Sequence, residues 1–201
     1  MRKKFFGALL TACMLILLTA TALAADRSDW TDRNYNFRAI DSAYLPSLNC
    51  ERAGLDSDIV ARELNEMYLK EARTPGFRMF FDGGGAVNST ITINVELVEY
   101  KIVERLIPAH WETRYKKEKM RYKKDGKWHD GEIEVPYQEY VPDKYVNDSL
   151  VTMRFRVFDT SSGKEVFLRD ESRLHSDSTN RKGVFGRICK TFFNDLKKKM
   201  K

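Results

Sequence analysis

Cysteine, histidine, proline and glycine are all scarce in this chain, and each scarcity excludes something. Three cysteines among 201 residues cannot build a disulfide-dense miniprotein. Five prolines and eleven glycines exclude a collagen-like or linker-dominated chain. The three histidines, His110, His129 and His175, have no metal-ligand spacing; there is no His-Glu-x-x-His and no Cys-x-x-Cys. No Gly-x-Ser-x-Gly elbow occurs. Gly83-Gly84-Gly85 precedes a predicted strand rather than a helix, and no Gly-Lys-Ser/Thr follows it. The context that lets a glycine loop cradle phosphate is therefore missing. These absences predict a non-enzymatic protein without catalytic residues, cofactor or metal site. The alternative is an exported enzyme or small-ligand-binding protein that uses scattered carboxylates, such as Asp41, Asp82, Asp159 and Asp170, together with His175. His129 stands near Asp130 and Glu132 and could contribute to a metal site, although a solvated hairpin tip accounts for all three.

Long hydrophobic runs are missing too, except at the start. Arg2, Lys3 and Lys4 are followed by an uncharged, mostly apolar stretch from Phe5 to Ala24. Ala22 and Ala24 put small residues at the −3 and −1 positions of a secretory cleavage site. Residues 1–24 are thus expected to be a signal peptide cut after Ala24, and the product periplasmic or extracellular. Two other readings use the same residues. Leu10-Thr11-Ala12-Cys13 matches a lipoprotein box that would lipidate Cys13, but Met14 to Leu18 then continue the apolar run where a polar tether belongs. Retained uncut, the stretch from Phe5 to Ala24 is long enough to span a bilayer. Membrane attachment is expected only through an uncleaved signal or a lipidated Cys13.

Hydrophobic residues make up 42% of the chain and charged residues 32%, a globular composition. The formal charge is +6; without Arg2, Lys3 and Lys4 the 35 basic residues fall to 32 against 29 acidic ones, or +3. Such a mild excess gives little support to a polyanionic partner. Removal of the signal leaves Cys50 and Cys189, an even pair in an oxidising compartment and so a candidate disulfide. It would close a long loop, worth about 4–5 kcal/mol by chain entropy. Two separate buried thiols are the other reading.

The remainder reads as strands bracketed by two helices. Ala25 to Asn36 is polar and is taken as a loose lead-in, and Phe37 to Leu45 has strand character. A helix is expected from a cap at Asp56 or Ser57 through Thr74, with Pro75-Gly76 as its stop. Val60, Leu64, Met67 and Tyr68 share its apolar face. Phe77 to Phe81 is a short strand, Asp82 to Gly85 a turn and Thr90 to Ile107 a long strand. Leu150 to Phe158 and Glu165 to His175 alternate in character and are joined by a turn. Gly183 to Lys199 is helical, with Phe185, Ile188, Cys189, Phe192 and Leu196 as its stripe. The order predicts a single α+β domain over residues 25–201, with a mainly antiparallel sheet and both helices on one face.

Residues 108–145 are expected to be a β-ribbon inserted in that domain, a long protruding hairpin. Asp125-Gly126 is a strong hairpin-turn signal. Pro108-x-x-Trp111 and Pro142-x-x-Tyr145 stand on either side of it, and facing them gives paired residue numbers that sum to 253, with the tip near Gly126-Lys127. The outgoing arm is basic and the returning arm acidic; that register would place Arg114 opposite Glu139, Lys119 opposite Glu134 and Arg121 opposite Glu132. Interleaved bases and aromatics, as in Arg114-Tyr115-Lys116-Lys117, also suit single-stranded nucleic acid. The acidic arm and the export signal argue against that partner. Trp111, Tyr115, Trp128, Tyr137, Tyr140 and Tyr145 are the candidate partner surface, because Trp and Tyr dominate interface hot spots.

Ala39-Ile40-Asp41-Ser42-Ala43-Tyr44-Leu45-Pro46, leading to the Asp58–Arg73 helix in an exported chain, resembles small bacterial envelope proteins. In element order the chain is more remotely similar to the α+β domain of TolB, of curli-secretion lipoproteins and of lipoprotein activators of penicillin-binding proteins. The resemblance implies action by protein–protein contact, with no catalytic site to carry over. The expected function is therefore that of an exported, non-enzymatic envelope protein that binds another envelope protein or a wall polymer. The ribbon departs from the resemblance.

Overall fold

The computed structural model describes residues 25–55, 58–73, 78–81 and 83–201. The predicted signal peptide, the Cys13 motif, the helix cap at Asp56 or Ser57, the Pro75-Gly76 stop and Asp82 lie outside them. Two compact units emerge, one holding the chain through Val103 together with Asn147–Lys201, the other Glu104–Val146.

The first unit is built on a six-stranded sheet and two long helices. Its strands are β1 (Ala25–Thr31), β2 (Ser42–Tyr44), β3 (Arg78–Phe80), β4 (Ile91–Ile107), β7 (Lys144–Asp159) and β8 (Glu165–His175), in the order β1-β8-β7-β4-β2-β3. β4 and β7 begin or end in the second unit, which also holds β5 (His110–Lys124) and β6 (Lys127–Val141). β8 pairs antiparallel with both β1 and β7, and β2 pairs parallel with β3 and β4. The helices are α1 (Asp58–Ala72) and α2 (Arg181–Lys199).

Alternation in the sequence becomes alternation in burial. Ile91, Ile93, Val95 and Leu97 of β4 are buried, as are Val151, Met153, Phe155 and Val157 of β7. They join Leu64, Tyr68 and Ala72 of α1 and the apolar stripe of α2 in one core. The Phe192 ring stacks on Phe155 with centroids 4.0 Å apart and meets Phe193 edge-on at 5.1 Å. α2 starts two residues earlier than predicted because the Asn180 side chain accepts a 2.9 Å hydrogen bond from the Gly183 amide. A Cβ at Gly183 would lie 2.6 Å from that side chain, so the cap needs glycine there.

Three local expectations need correction, the first being that Gly83-Gly84-Gly85 leads into a short helix, Gly85–Asn88, before β4 begins. Phe37–Ala39 is a 3-10 turn, and only Ser42–Tyr44 of the predicted strand pairs. Ala25–Thr31 is a strand rather than a loose lead-in. Its sequence lacks apolar alternation because ion pairs hold it. Arg169 of β8 is completely buried and donates to Asp29 of β1 at 2.8 and 3.0 Å, and to Asp195 of α2 at 3.2 Å. Arg27 donates to the same two carboxylates. The Arg169 guanidinium also lies over the Phe167 and Phe192 rings, at 5.5 and 5.7 Å. Burial works to raise the Asp29 pKa, but hydrogen bonds from Arg27 and Arg169 outweigh it and bring the carboxyl down to about 2.

Cys50 and Cys189, the candidate disulfide pair, stand as two free thiols. Cys189 is buried in the core with its sulfur 3.9 Å from the Met153 sulfur, and Cys50 lies just before the 3-10 turn Glu51–Ala53. Burial pushes both thiols above their ordinary pKa, Cys189 the more strongly. Cys189 is thus spent on packing, as a small hydrophobe.

A candidate docking ribbon

Chain geometry at two prolines sets the limits of the ribbon. Pro108 and Ala109 separate β4 from β5, and Pro142 and Asp143 separate β6 from β7. β5 and β6 pair antiparallel over their full length, from His110 opposite Val141 to Lys124 opposite Lys127. Asp125 and Gly126 form a two-residue turn with φ of 53° and 77°. Positive φ at both central positions is the type I′ geometry that the twist of a hairpin favours.

That turn corrects the expected register. Paired numbers sum to 251 rather than 253, and the tip is Asp125-Gly126. Trp111 faces Tyr140, so the two Pro-x-x-aromatic units are not in direct register. A shift of two keeps every side chain on its own face, so the charge matching survives with new partners. Lys117 faces Glu134, Lys119 faces Glu132 and Arg121 faces Asp130. Arg121 reaches Asp130 at 3.1 Å and Lys117 reaches Glu132 diagonally at 3.7 Å. Arg114 faces Tyr137, yet its guanidinium bridges Glu139 at 2.8 Å and Glu112 at 3.2 Å. It thereby separates two glutamates that stand directly opposite each other. These pairs lie in open solvent, where an ion pair adds little to stability, and their larger effect is to oppose slipped registers.

Alternation divides the candidate aromatics between two faces. Trp111, Tyr115 and Tyr140 share one face toward the prolines and are 66, 66 and 54% exposed. The Trp111 and Tyr140 rings meet edge-on at 5.3 Å, and Pro136 stands opposite Tyr115. Trp128 lies on the same face near the turn, beyond the Lys117, Lys119 and Arg121 rungs. Tyr137 is on the other face with Val135, Ile133, Met120 and Tyr122. Tyr145 is exposed in β7 and outside the β5–β6 ladder. The six predicted residues therefore form no single patch; three of them do.

The ribbon's edges are guarded against further strand pairing. β5 carries lysines and β6 carries Pro136, both of which blunt an unpaired strand edge. What the ribbon presents is its faces.

Asp41, Asp159 and Asp170 of the enzyme alternative each have partners of their own. Asp41 accepts from Ser42 and Thr90 at 2.6 and 2.5 Å. Asp159 caps its turn, held at a pKa of about 2 by the Ser162 and Ser161 hydroxyls, and accepts from Tyr35. Asp170 pairs with Arg154 at 2.7 Å. The Nδ1 atom of His175 is buried without a hydrogen-bond partner. His129 stacks on Tyr122, on the face opposite Asp130 and Glu132, so the three cannot converge on one ion. Among the described residues no cluster of three His, Cys, Asp or Glu could hold a metal. Also among them, no helix is long and apolar enough to cross a membrane.

Sequence reasoning missed the buried Arg169 and the cationic collar at the turn. An arginine in an alternating strand looks like a solvent-facing one. For the collar, the signal available was lysine on both sides of the Asp125-Gly126 turn.

No family model matches the sequence, and no curated protein matches it. Solved structures do. PelC from Paraburkholderia phytofirmans, solved as a dodecamer, is 12% identical, with 86% of this chain and 97% of that one covered at a TM-score of 0.50. A second crystal form of the same dodecamer covers 86% and 96% at 0.49. Lipoprotein GNA1162 from Neisseria meningitidis is 12% identical over 78% of this chain and 98% of that one, at 0.33. At such identity the likeness to PelC is one of fold, and the α+β class is what it shares with this chain.

Proposed function

We propose that this is an exported, non-enzymatic envelope protein that works by contact, binding another envelope protein or a wall polymer through the aromatic end of its ribbon. The observation that carries the reading is the patch of Trp111, Tyr115 and Tyr140, three large side chains left exposed on one face of a two-stranded sheet. Trp and Tyr supply large contact area at small entropic loss and concentrate binding energy in interfaces. Trp111 and Tyr140 touch across the ladder, yet both, like Tyr115, keep more than half of their surface open. An export signal over residues 1–24 would put the encounter outside the cytoplasm, and Asp41, Asp159 and Asp170 are each engaged by neighbouring side chains.

Photo-crosslinking in intact cells, with the crosslinker at position 113 between Trp111 and Tyr115, tests this reading. A discrete adduct, protein or glycan, that disappears in Trp111→Ala/Tyr140→Ala supports it. Unchanged adducts in that variant, or a hydrolase activity abolished by His175→Ala in a folded protein, would overturn it.

A further inference from the structure

The turn end of the ribbon differs in chemistry from its aromatic end. Lys124 and Lys127 face each other on the last rung, and Lys123 faces Trp128 on the next. Among the described residues none of these three lysines has an ion-pair partner, unlike Arg114, Lys116, Lys117 and Arg121 further along β5. Asp125, in the turn itself, is the one acid between Tyr122 and His129. Just behind this collar stand aromatics on both faces. Trp128 is 63% exposed on one, and Tyr122 stacks on His129 at 5.6 Å on the other. A type I′ turn thus carries a net positive cap, with an aromatic girdle one and two rungs behind it.

We infer that this turn is a docking point for an anionic lipid surface. The order of groups along the ribbon matches the order of layers it would meet. Lysines attract anionic headgroups, each strengthening binding about fivefold near the surface. Trp and Tyr rings settle at the headgroup level, where one part of the ring is wet and the other apolar. Single-stranded nucleic acid fits less well, because it needs successive free stacking platforms and the Tyr122 ring is already covered by His129. The inference rests on the envelope reading only for the presence of a membrane; it does not use the Trp111–Tyr140 patch.

Co-sedimentation of the exported chain with vesicles tests it, comparing phosphatidylcholine alone with phosphatidylcholine containing phosphatidylglycerol. Binding to the anionic vesicles is expected, lost in high salt. Lys123→Gln/Lys124→Gln/Lys127→Gln should weaken it on the order of 100-fold, from about fivefold per lysine. In a Trp30→Phe/Trp111→Phe background, Trp128 emission should shift to the blue on binding and be quenched by brominated lipid. The inference is overturned by equal binding to both vesicles, by a triple variant that binds as well as the parent, or by Trp128 emission that does not move. Binding of a soluble anionic polymer as tightly as the vesicles, without a Trp128 shift, would also overturn it and assign the turn to a polymer. A position-113 adduct left unchanged by Trp111→Ala/Tyr140→Ala, with vesicle binding intact, would instead strike only the contact reading.

Discussion

β7 and β5 are strands of similar length, and the same period-2 geometry governs both. In β7 every second residue from Val151 to Val157 is buried, whereas in β5 all fifteen residues are exposed. The difference lies in what alternates and in what covers it. Val, Met and Phe repeat in β7 and meet the apolar side chains of α1 and α2. Lys, Arg and Tyr repeat in β5, whose one partner is a strand of opposite charge. The same contrast holds for ion pairs. Arg169 is removed from water and held by two carboxylates, so breaking its set leaves buried charge behind. Arg121 and Asp130 meet in open solvent, and little is lost when either goes. Alternation specifies a strand in both regions, but only a second layer turns it into a core.

Four measurements would break or sharpen this contrast. The largest effect is expected in the core. Phe192→Ala removes a ring in contact with Phe155 and Phe193 and should lower stability by about 3–5 kcal/mol in urea unfolding. A loss below about 1 kcal/mol would mean the first unit is no better packed than the ribbon.

Next comes acid. Asp29 has a folded pKa of about 2 against an ordinary 3.8. Its contribution, about 2 kcal/mol, is full above pH 4 and is lost as the pH falls through 2, because the unfolded chain takes up the proton first. Asp29→Asn should remove that contribution and flatten the stability–pH curve in this window. No exposed pair of the ribbon should leave a comparable mark.

A smaller, local effect is expected at the turn. A Cβ at Gly126 meets nothing within 4 Å, so Gly126→Ala is opposed only by its φ of 77°. It should cost about 1–2 kcal/mol, seen as faster amide exchange along β5 and β6 with the exchange of β7 beyond Leu150 unchanged.

The smallest effect should come from the largest excision. Replacing residues 113–139 with a short glycine-containing turn should leave the melting temperature of the first unit within a few degrees of the parent. Unfolding of the whole chain would show that the ribbon belongs to the core and would end the comparison.

Much of this fold was legible because it depends on local periodicity. The alternating residues of β4, β7 and β8 and the stripes of α1 and α2 each announce a face that must be covered. Asp125-Gly126 announced its turn for a similarly local reason, since few residue pairs adopt positive φ twice in succession. On those grounds the sequence by itself determined β4, β7 and β8, the two helices, the hairpin and the separation of a basic from an acidic arm. Tertiary structure decided the rest. The register of the ribbon followed from closure of the turn and not from the proline motifs, because a shift of two leaves charge matching intact and so leaves sequence pattern with no preference. That Trp111 faces Tyr140 and not Pro142 follows from that register. The pairing of Ala25–Thr31 required Arg169 and Asp195, more than a hundred residues away, to supply charges that its own polar sequence could not satisfy. Cys189 faces the core as its stripe announced, but its neighbour there, Met153 of β7, is set only by the packing of α2 on the sheet.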